Sequence, residues 1–339
     1  MFHRSRRRFA AAVTAFALSA PLLASPARAE GQLRIAEQFG IVYLLLNIAQ
    51  DQQLFEKHGK ALGVDVKVEF VKLSGGASMN EALLSGSIDV GGAGVGPVLT
   101  LWDRTAGRQN VRAVASLGNL PYQLVTSNPA VKTIADLGDR DRIALPATGV
   151  SMQSRLLQMA SAKVWGDAGY NRLDKLQIAL PHPEATAALL KGGSEISAHF
   201  SSPPFQEQER AGNPAIHAIL DSYEVLGGPS SASLLYATEK FRADNPKTYR
   251  ALVDGLAEAA KLAHANPELA ADIFIRTNKS GIDRALLVKI LRSPEVDYKL
   301  TPQNTLPLAI FLNRVGALKN RPASAKDYVF DDAHNAGAS

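Results

Sequence analysis

The stretch Leu83–Leu99, LLSGSIDVGGAGVGPVL, is the segment around which the rest of the chain is read. Its first residues end a helix, and Ile88–Val90 predicts a very short strand that opens into the glycine-rich run 91–96. Pro97 favours a new helix, whose first N–H groups would point out of the turn. Glycines after a strand let a backbone approach a ligand closely, and open α/β sheets bind ligands at this edge. The stretch therefore predicts a binding site at the carboxyl edge of an α/β sheet.

The first 29 residues have the pattern of an export leader. Ser5–Phe9 is basic, Ala10–Leu23 is apolar but too short to span a bilayer, and Ala27–Ala29 has the small-x-small cleavage pattern. The order Ser-Arg-Arg-x-Phe resembles a twin-arginine signal, and an ordinary Sec leader rich in arginine is the alternative. Either reading predicts cleavage after Ala29 and a periplasmic protein.

Charge and cysteine content exclude several classes of function. The leader holds five arginines and no acid, so without it the Lys and Arg count falls from 37 to 32, equal to the 32 Asp and Glu. This neutral balance gives no electrostatic case for nucleic acid or anionic lipid. The absence of cysteine excludes disulfides, thiolate catalysis, cysteine-ligated metals and a lipidated N-terminus. No later apolar run is long enough for a membrane anchor.

The pattern of strands and helices repeats a β-α-β arrangement twice. Alternating or apolar runs predict strands at 32–37, 64–73 and 111–117, then at 122–127, 142–145, 176–180, 196–200 and 232–237. Helices are predicted at 42–63, 152–165, 246–265, 267–277, 284–291 and 305–318, and the tail after Asp331 is expected to fray. Crossover connections of this kind are expected of parallel sheets.

The organisation predicts two α/β lobes around a cleft. The chain would cross between them near 118–122 and again near 222–231, which makes a hinge. We expect residues 30–119 with 230–320 to form one lobe, 120–229 to form the other, and 321–339 to be a C-terminal tail.

Five strand-to-helix junctions carry small or hydroxyl residues and are the candidate ligand contacts. Helix N-termini and hydroxyls can hold an oxyanion without Lys or Arg, although the same residues are also ordinary turn and N-cap chemistry. The candidates are Phe39, Gly40, Ser74, Gly75, Gly94, Val95, Thr148, Gly149, Val150, Ser151, Ser201 and Ser202.

Motifs for catalysis or cofactors are missing from the sequence. There is no Gly-x-Ser-x-Gly elbow, no complete dinucleotide fingerprint and no phosphate loop. His182 and His199 lie at predicted strand ends, but neither has another histidine at metal-ligand spacing. We therefore expect no catalytic residues, metal or cofactor. Asp89 is expected to be a structural partner, and Tyr122 and Tyr223 either line the cleft or pack.

Five segments in order carry a family resemblance: RIAEQFGIVYLLLNIAQDQQLFEKHG, LSGGASMNEALLSGSIDVGGAGVGPVL, IADLGDRDRIALPATGVSMQSRLLQ, LLKGGSEISAHFSSPPF and LLYATEKFRADNPKTYRALVDGLAEAAKL. The chain resembles the substrate-binding proteins of ABC importers in the nitrate/sulfonate/taurine group, which are related to thiamine-pyrimidine-binding proteins. The resemblance implies a two-lobed, type II-like periplasmic-binding fold that closes on one small molecule and docks on a permease with its ATPase.

The resemblance implies an aliphatic sulfonate, taurine or a similar small organic anion as the ligand, and contacts at the loops named above. A thiamine-pyrimidine-like or aromatic ligand is the alternative, since the five junctions carry no Lys or Arg. A sensor role and an exported hydrolase that pairs His182 or His199 with Ser201 or Ser202 are the other readings. We expect a monomer.

Overall fold

The computed structural model describes residues 30–193 and 195–339. The predicted leader, and with it the choice between twin-arginine and Sec export, lies outside these residues. No helix within the described ranges combines the length and apolarity needed to cross a bilayer.

One five-stranded sheet is built mainly from the first third of the chain. Its strands are β1 (Gln32–Glu37), β2 (Lys67–Lys72), β3 (Val90–Gly94), β4 (Arg112–Ser116) and β10 (Ser233–Ala237). The spatial order is β2-β1-β3-β10-β4. Strand β1 runs parallel to β2 and β3, whereas β10 returns late in the chain and pairs antiparallel with both β3 and β4. The sheet is therefore mixed rather than purely parallel.

A second five-stranded sheet forms the other lobe. Its strands are β5 (Gln123–Thr126), β6 (Ile143–Leu145), β7 (Gln177–Ala179), β8 (Ala198–Phe200) and β9 (His217–Asp221), in the order β7-β6-β8-β5-β9. Strand β6 is parallel to β7 and β8, and β5 is antiparallel to β8 and β9. The two sheets thus share one plan, in which an antiparallel strand lies beside a parallel set.

Helices cover both sheets. They are α1 (Leu44–Asp51), α2 (Leu54–Ala61), α3 (Gly76–Ser85), α4 (Val95–Thr105), α5 (Met152–Trp165), α6 (His182–Lys191), α7 (Phe205–Gly212), α8 (Ser222–Leu226), α9 (Glu239–Asp244), α10 (Pro246–Ala265), α11 (Pro267–Asn278), α12 (Arg284–Leu291) and α13 (Leu306–Arg314). Short 3₁₀ turns lie at Ile41–Tyr43, Ile134–Asp136, Asp167–Gly169, Asp174–Leu176, Ala325–Asp327 and Ala333–Asn335.

The glycine-rich run differs from its prediction. The strand β3 begins at Val90 and contains the glycines, so the expected strand at Ile88–Val90 is displaced toward the C-terminus. A Cβ at Gly91 would lie 2.9 Å from the ring of Tyr236, and one at Gly92 would lie 3.1 Å from the ring of Tyr43. These two glycines make room for buried tyrosines rather than for a ligand.

The single helix predicted over 42–63 is two helices. Gln53 has a left-handed backbone with φ 50°, which ends α1 and begins α2. The apolar spacing continues across this break because both helices pack on the same core, so periodicity alone did not reveal it.

Two chain crossings join the lobes, as predicted. The chain passes from β4 to β5 and returns from β9 to β10. Asn119 and Ser231, one on each crossing, form an antiparallel bridge. The predicted fold class, two α/β lobes with a two-crossing hinge, is confirmed.

The tail after Asp331 does not fray, contrary to expectation. The Asn335 side chain donates to the carbonyl oxygens of Val114 and Phe330, at 2.9 and 3.1 Å. The residue is only 2% exposed, and His334 also contacts the Val114 oxygen. These polar side chains satisfy backbone groups at the edge of the first sheet, a role that hydropathy does not report.

Candidate functional site

A cavity lies between the two lobes, at the carboxyl ends of the parallel strands. It has about 420 Å³ of space not filled by atoms, mouth included. Only about 20 Å³ of this space can hold the centre of a water-sized molecule, which is room for about one water, so a larger ligand enters only when the lobes move apart. Its lining residues are Gln38, Phe39, Val42, Tyr43, Ser74, Gly76, Gly94, Pro97, Tyr122, Pro146, Ser151, Met152, Gln153, His182 and Ser202.

The lobes touch each other around this cavity. The backbone N–H of Ile41 donates to the carbonyl oxygen of Pro203 on the other lobe, at 3.2 Å. Across the cleft, a Cβ at Gly75 would lie 2.7 Å from the oxygen of Pro146. The glycines at this edge therefore allow two backbones to approach one another, a role different from the predicted close approach to a ligand.

Four helix N-termini lie at the cavity. The first residue of α6, His182, lines it, as do the first residues of α3 and α5, Gly76 and Met152, and the N-cap of α4, Gly94. The N–H groups of a first helical turn have no acceptor within the helix, and the helix dipole adds positive potential there. Backbone donors from both lobes thus face the same space.

The lining combines polar and apolar side chains, and none of them carries a permanent charge. Its members include no Lys, Arg, Asp or Glu. Burial raises the pKa of Tyr43 and of Tyr122, so both phenols stay protonated. The hydroxyl of Ser202, a residue 1% exposed, has no hydrogen-bond partner in the part of the chain that the structure describes. Because an unpaired buried hydroxyl is costly, Ser202 is the clearest unmet donor at the cavity.

The structure brings some predicted contacts together and leaves others outside the lining. Those that line the cavity are Phe39, Ser74, Gly94, Ser151 and Ser202. Those that do not are Gly40, Gly75, Val95, Thr148, Gly149, Val150 and Ser201. Thr148 is exposed, and the N–H of Gly149 is bonded to the Ser154 hydroxyl at 2.9 Å, so the loop before α5 caps its own helix. Of the two tyrosines named, Tyr122 lines the cavity, while Tyr223 donates to the carbonyl oxygen of Glu295.

A buried polar chain behind the cavity was not predicted. The Nδ1 of His182 and Nε2 of His199 are 2.7 Å apart, and Nδ1 of His199 is 2.5 Å from Oε1 of Glu209. Thr186 donates to the same carboxylate oxygen at 2.7 Å, and Gln153 contacts Nε2 of His182 at 3.2 Å. His182 follows β7 and His199 lies in β8, and these two parallel strands flank β6, so their positions near the ends of strands in one sheet were the available signal.

The Ser–His pair that a hydrolase would need is not formed. Neither the Ser201 nor the Ser202 hydroxyl has a hydrogen-bond partner in the described structure. The ring nitrogens of His182 are engaged by His199 and Gln153 instead. A serine nucleophile requires a base within hydrogen-bond reach, so this arrangement does not favour hydrolysis.

Comparison with known proteins identifies the family. The model of the NMT1-like family matches residues 41–275. The chain belongs to the NMT1-like family. A Brucella abortus (strain 2308) protein named "Putative binding protein" is 27% identical to this NMT1-like protein over 294 residues, covering 84% of this chain and 85% of the relative.

Solved structures share the fold of this NMT1-like protein. The alkanesulfonate-binding protein SsuA of Xanthomonas axonopodis pv. citri matches with TM-score 0.64 and 22% identity, over 86% of this chain and 95% of that one. The periplasmic nitrate-binding protein NrtA of Synechocystis PCC 6803 matches with TM-score 0.67 and 15% identity, over 88% and 84%. The resemblance to the nitrate/sulfonate/taurine group is confirmed.

Proposed function

We propose that this protein is the periplasmic solute-binding component of an ABC importer, and that it binds a small organic anion such as an aliphatic sulfonate or taurine. The lobes close on one ligand, and the complex docks on a permease with its ATPase. The mature chain is exported, acts as a monomer and carries out no reaction on its ligand.

The observation that carries the proposal is the convergence of unmet donors at the interlobe cavity. Helix starts from both lobes border it, and the buried Ser202 hydroxyl adds a group with no hydrogen-bond partner among residues 30–193 and 195–339. An oxyanion satisfies such donors, and contact with both lobes gives it a higher affinity for the closed form. The sulfonate- and nitrate-binding proteins of the same fold support this class of ligand.

A second candidate ligand is a thiamine-pyrimidine-like or other aromatic molecule. Phe39, Tyr43 and Tyr122 line the cavity, and no Lys or Arg does. Aromatic walls with a few neutral polar groups are typical of sites for flat heterocycles.

Calorimetry of the mature protein against a ligand panel tests both candidates. The panel contains taurine, alkanesulfonates, sulfate esters, nitrate and hydroxymethylpyrimidine. We expect 1:1 binding of a sulfonate without turnover. Binding of the pyrimidine alone would favour the second candidate, and binding of none below roughly millimolar, a free energy of about −4 kcal/mol, would contradict the proposal.

Two adjacent serines provide a matched pair of variants. Ser202→Ala removes the unpartnered hydroxyl that lines the cavity, and Ser201→Ala removes one that is equally buried but does not line it. A hydrogen bond to a charged group is worth about 1.5–3 kcal/mol, so Ser202→Ala should weaken binding at least tenfold. Ser201→Ala should leave the affinity within about twofold.

A further inference from the structure

The buried chain behind the cavity runs in one line from the ligand space into the core of the second lobe. His182 begins α6 and lines the cavity, His199 lies on β8, and Glu209 lies on α7. His199 and Glu209 are fully buried, and His182 is 6% exposed. Among residues 30–193 and 195–339 no group of three or more such side chains is arranged to hold a metal. The three side chains are joined by hydrogen bonds from the cavity to the Glu209 carboxyl group.

Hydrogen-bond donors fix the protonation of this line. The Gln153 amide nitrogen, 3.2 Å from Nε2 of His182, can only donate, so that ring nitrogen accepts. His182 then carries its proton on Nδ1 and donates it to Nε2 of His199. His199 in turn donates from Nδ1 to the Glu209 carboxylate. In this arrangement the line of hydrogen bonds runs from the cavity through both rings and ends on the buried Glu209 carboxyl group.

Among the described residues that line the cavity there is no Lys or Arg. His182 is therefore the side chain of this lining that can become a cation. From these two observations we infer that His182 takes up one proton when an anion enters the cleft. This inference rests on the proposed function, and it adds a proton as a co-ligand. An imidazolium that donates from Nε2 to the anion requires the Gln153 amide nitrogen to move away from that ring nitrogen, while His199 and Glu209 continue the line behind the ring.

The surroundings of His182 favour the neutral ring until an anion arrives. Burial, and then the neighbouring His199, hold the pKa of His182 well below 6.5. The N-terminus of its own helix also disfavours a cation. The ring of Phe205 from α7 stacks on it at 5.5 Å between ring centres.

The titratable and charged groups around His182 come from each element packed against it. His199 faces it from β8, and Glu209 lies behind His199 on α7, where Glu207 is a second carboxyl. Tyr43 of the first lobe and Tyr122, which directly precedes β5 of the second sheet, line the same cavity and remain protonated. The α5 residues in the lining are the uncharged Met152 and Gln153. Glu209 is therefore the carboxyl group to which this line of hydrogen bonds leads.

Linkage gives the sign of the pH effect. An anion that raises the pKa of His182 binds more tightly as the pH falls. The affinity changes tenfold per pH unit between the pKa of His182 in the free protein and its pKa in the complex, and is flat outside that window. A neutral ligand of the same shape would show no such dependence.

Calorimetric proton counting on the mature protein tests this inference. The probe is 1-butanesulfonate, which does not titrate near neutral pH, and the neutral comparison is 1-butanesulfonamide. Heats of binding at pH 7 are measured in bis-Tris, imidazole and Tris buffers, whose ionisation enthalpies differ and which contain no oxyanion. We expect close to one proton taken up per sulfonate, none per sulfonamide, and a sulfonate affinity at least tenfold higher at pH 6 than at pH 8.

Three variants test whether the proton uptake depends on the His182–His199–Glu209 line or would change with any substitution in this lobe. Glu209→Gln keeps the shape of the side chain, and it should abolish most of the proton uptake while binding persists. His182→Gln should abolish both the uptake and the pH dependence. His217→Gln is the matched control, since His217 bonds to the backbone oxygens of Val131 and Ala215 in the same lobe and does not line the cavity. It should leave the proton count unchanged.

Nitrogen-15 spectra of the histidine rings in the wild-type protein test the same inference without any variant, so the test does not depend on whether the variants fold. In the wild-type protein we expect His182 to be neutral with its proton on Nδ1, and doubly protonated once sulfonate is bound. Sulfonate binding with no proton uptake and an unchanged ring spectrum would overturn this inference and leave the proposed function standing. Failure of every anion in the panel to bind would overturn the proposed function, and the inference with it.

Discussion

Gly94 lies directly against Met152 across the cleft, so that a Cβ at Gly94 would be 2.6 Å from the Cβ of Met152. Gly94 is the N-cap of α4 in the first lobe, and Met152 is the first residue of α5 in the second. Two helix N-termini that both face the cavity are thus brought together at a position without a side chain. The contact exists only when the lobes are together.

Gly94→Ala should weaken ligand binding by at least tenfold while the protein stays folded. The Gly94 backbone, with φ −56° and ψ 161°, is one that alanine adopts readily, so the added methyl acts through its contact with Met152. Overpacking of this kind costs about 1–3 kcal/mol, and here it falls on the state with the lobes together. Titration calorimetry with the best ligand of the panel measures the change.

The control for this variant is Gly138→Ala. A Cβ at Gly138 has no atom within 4 Å and its φ is not left-handed, so both affinity and stability should stay near those of the wild-type protein. Unchanged affinity in Gly94→Ala would show that the lobes do not need this approach to hold the ligand.

Gly255→Ala should destabilise the first lobe even though alanine favours helices. A Cβ at Gly255, inside α10, would lie 2.5 Å from the ring of Phe55 in α2. Overpacking costs about 1–3 kcal/mol, which exceeds the gain of about 1 kcal/mol in helix propensity. Urea unfolding should show a net loss in the wild-type background. In a Phe55→Ala background the same change should be neutral or stabilising, and an equal loss in both backgrounds would contradict this account.

Local signals in the sequence were sufficient to predict several elements. The helix α5 has the predicted bounds because Ser151 caps its start, accepting from the Ser154 N–H, and Gly166 ends it with φ 77°. The first hinge crossing was predicted from the change of pattern at Gly118–Pro121, and the second from the stretch 222–231. In each case the residues that determine the structure are adjacent in sequence.

Contacts between distant residues were not predictable in the same way. The place of β10 between β3 and β4 joins residues more than a hundred positions apart. The pairing of His182 with His199 depends on the neighbouring positions of two strand ends. The sequence named the junctions that surround the cavity, whereas the tertiary fold decides which side chains face it.

Asp89→Asn should cost about 1–3 kcal/mol of the free energy of unfolding. The Asp89 carboxylate accepts from the Arg34 guanidinium at 2.7 and 3.0 Å and from the Arg34 backbone N–H at 2.9 Å. The Arg34 and Asp89 side chains are largely buried, at 16% and 14% exposure. A largely buried, hydrogen-bonded charge loses much of its stabilising interaction energy when its partner becomes neutral.

The matched control is Asp139→Asn, which removes a carboxylate paired with Lys175 on the surface. Those side chains are 83% and 65% exposed, so the loss should lie within about 1 kcal/mol. Equal losses in the two variants, measured by urea unfolding at neutral pH, would refute a structural role for the Arg34–Asp89 pair.

As the pH rises from 4 to 7, the free energy of unfolding of Glu37→Gln should increase relative to that of the wild-type protein. Burial raises the pKa of Glu37, and the contacts with Lys72 and Asn47 only partly offset it. The unfolded chain therefore releases this proton at a lower pH than the folded one. Wild-type stability from this group is full below the unfolded pKa, falls as the pH rises to the folded pKa, and stays lower above it.

The glutamine variant lacks this loss because it does not titrate. A one-unit difference between the folded and unfolded pKa corresponds to about 1.4 kcal/mol, and urea unfolding at pH 4 and pH 7 measures the change in the stability difference. Glu258→Gln is the control of opposite sign, because Lys57 and then His58 lower the pKa of Glu258. Its relative stability should fall slightly over the same range. A Glu37→Gln difference that fell with rising pH would mean that Lys72 outweighs burial at this site.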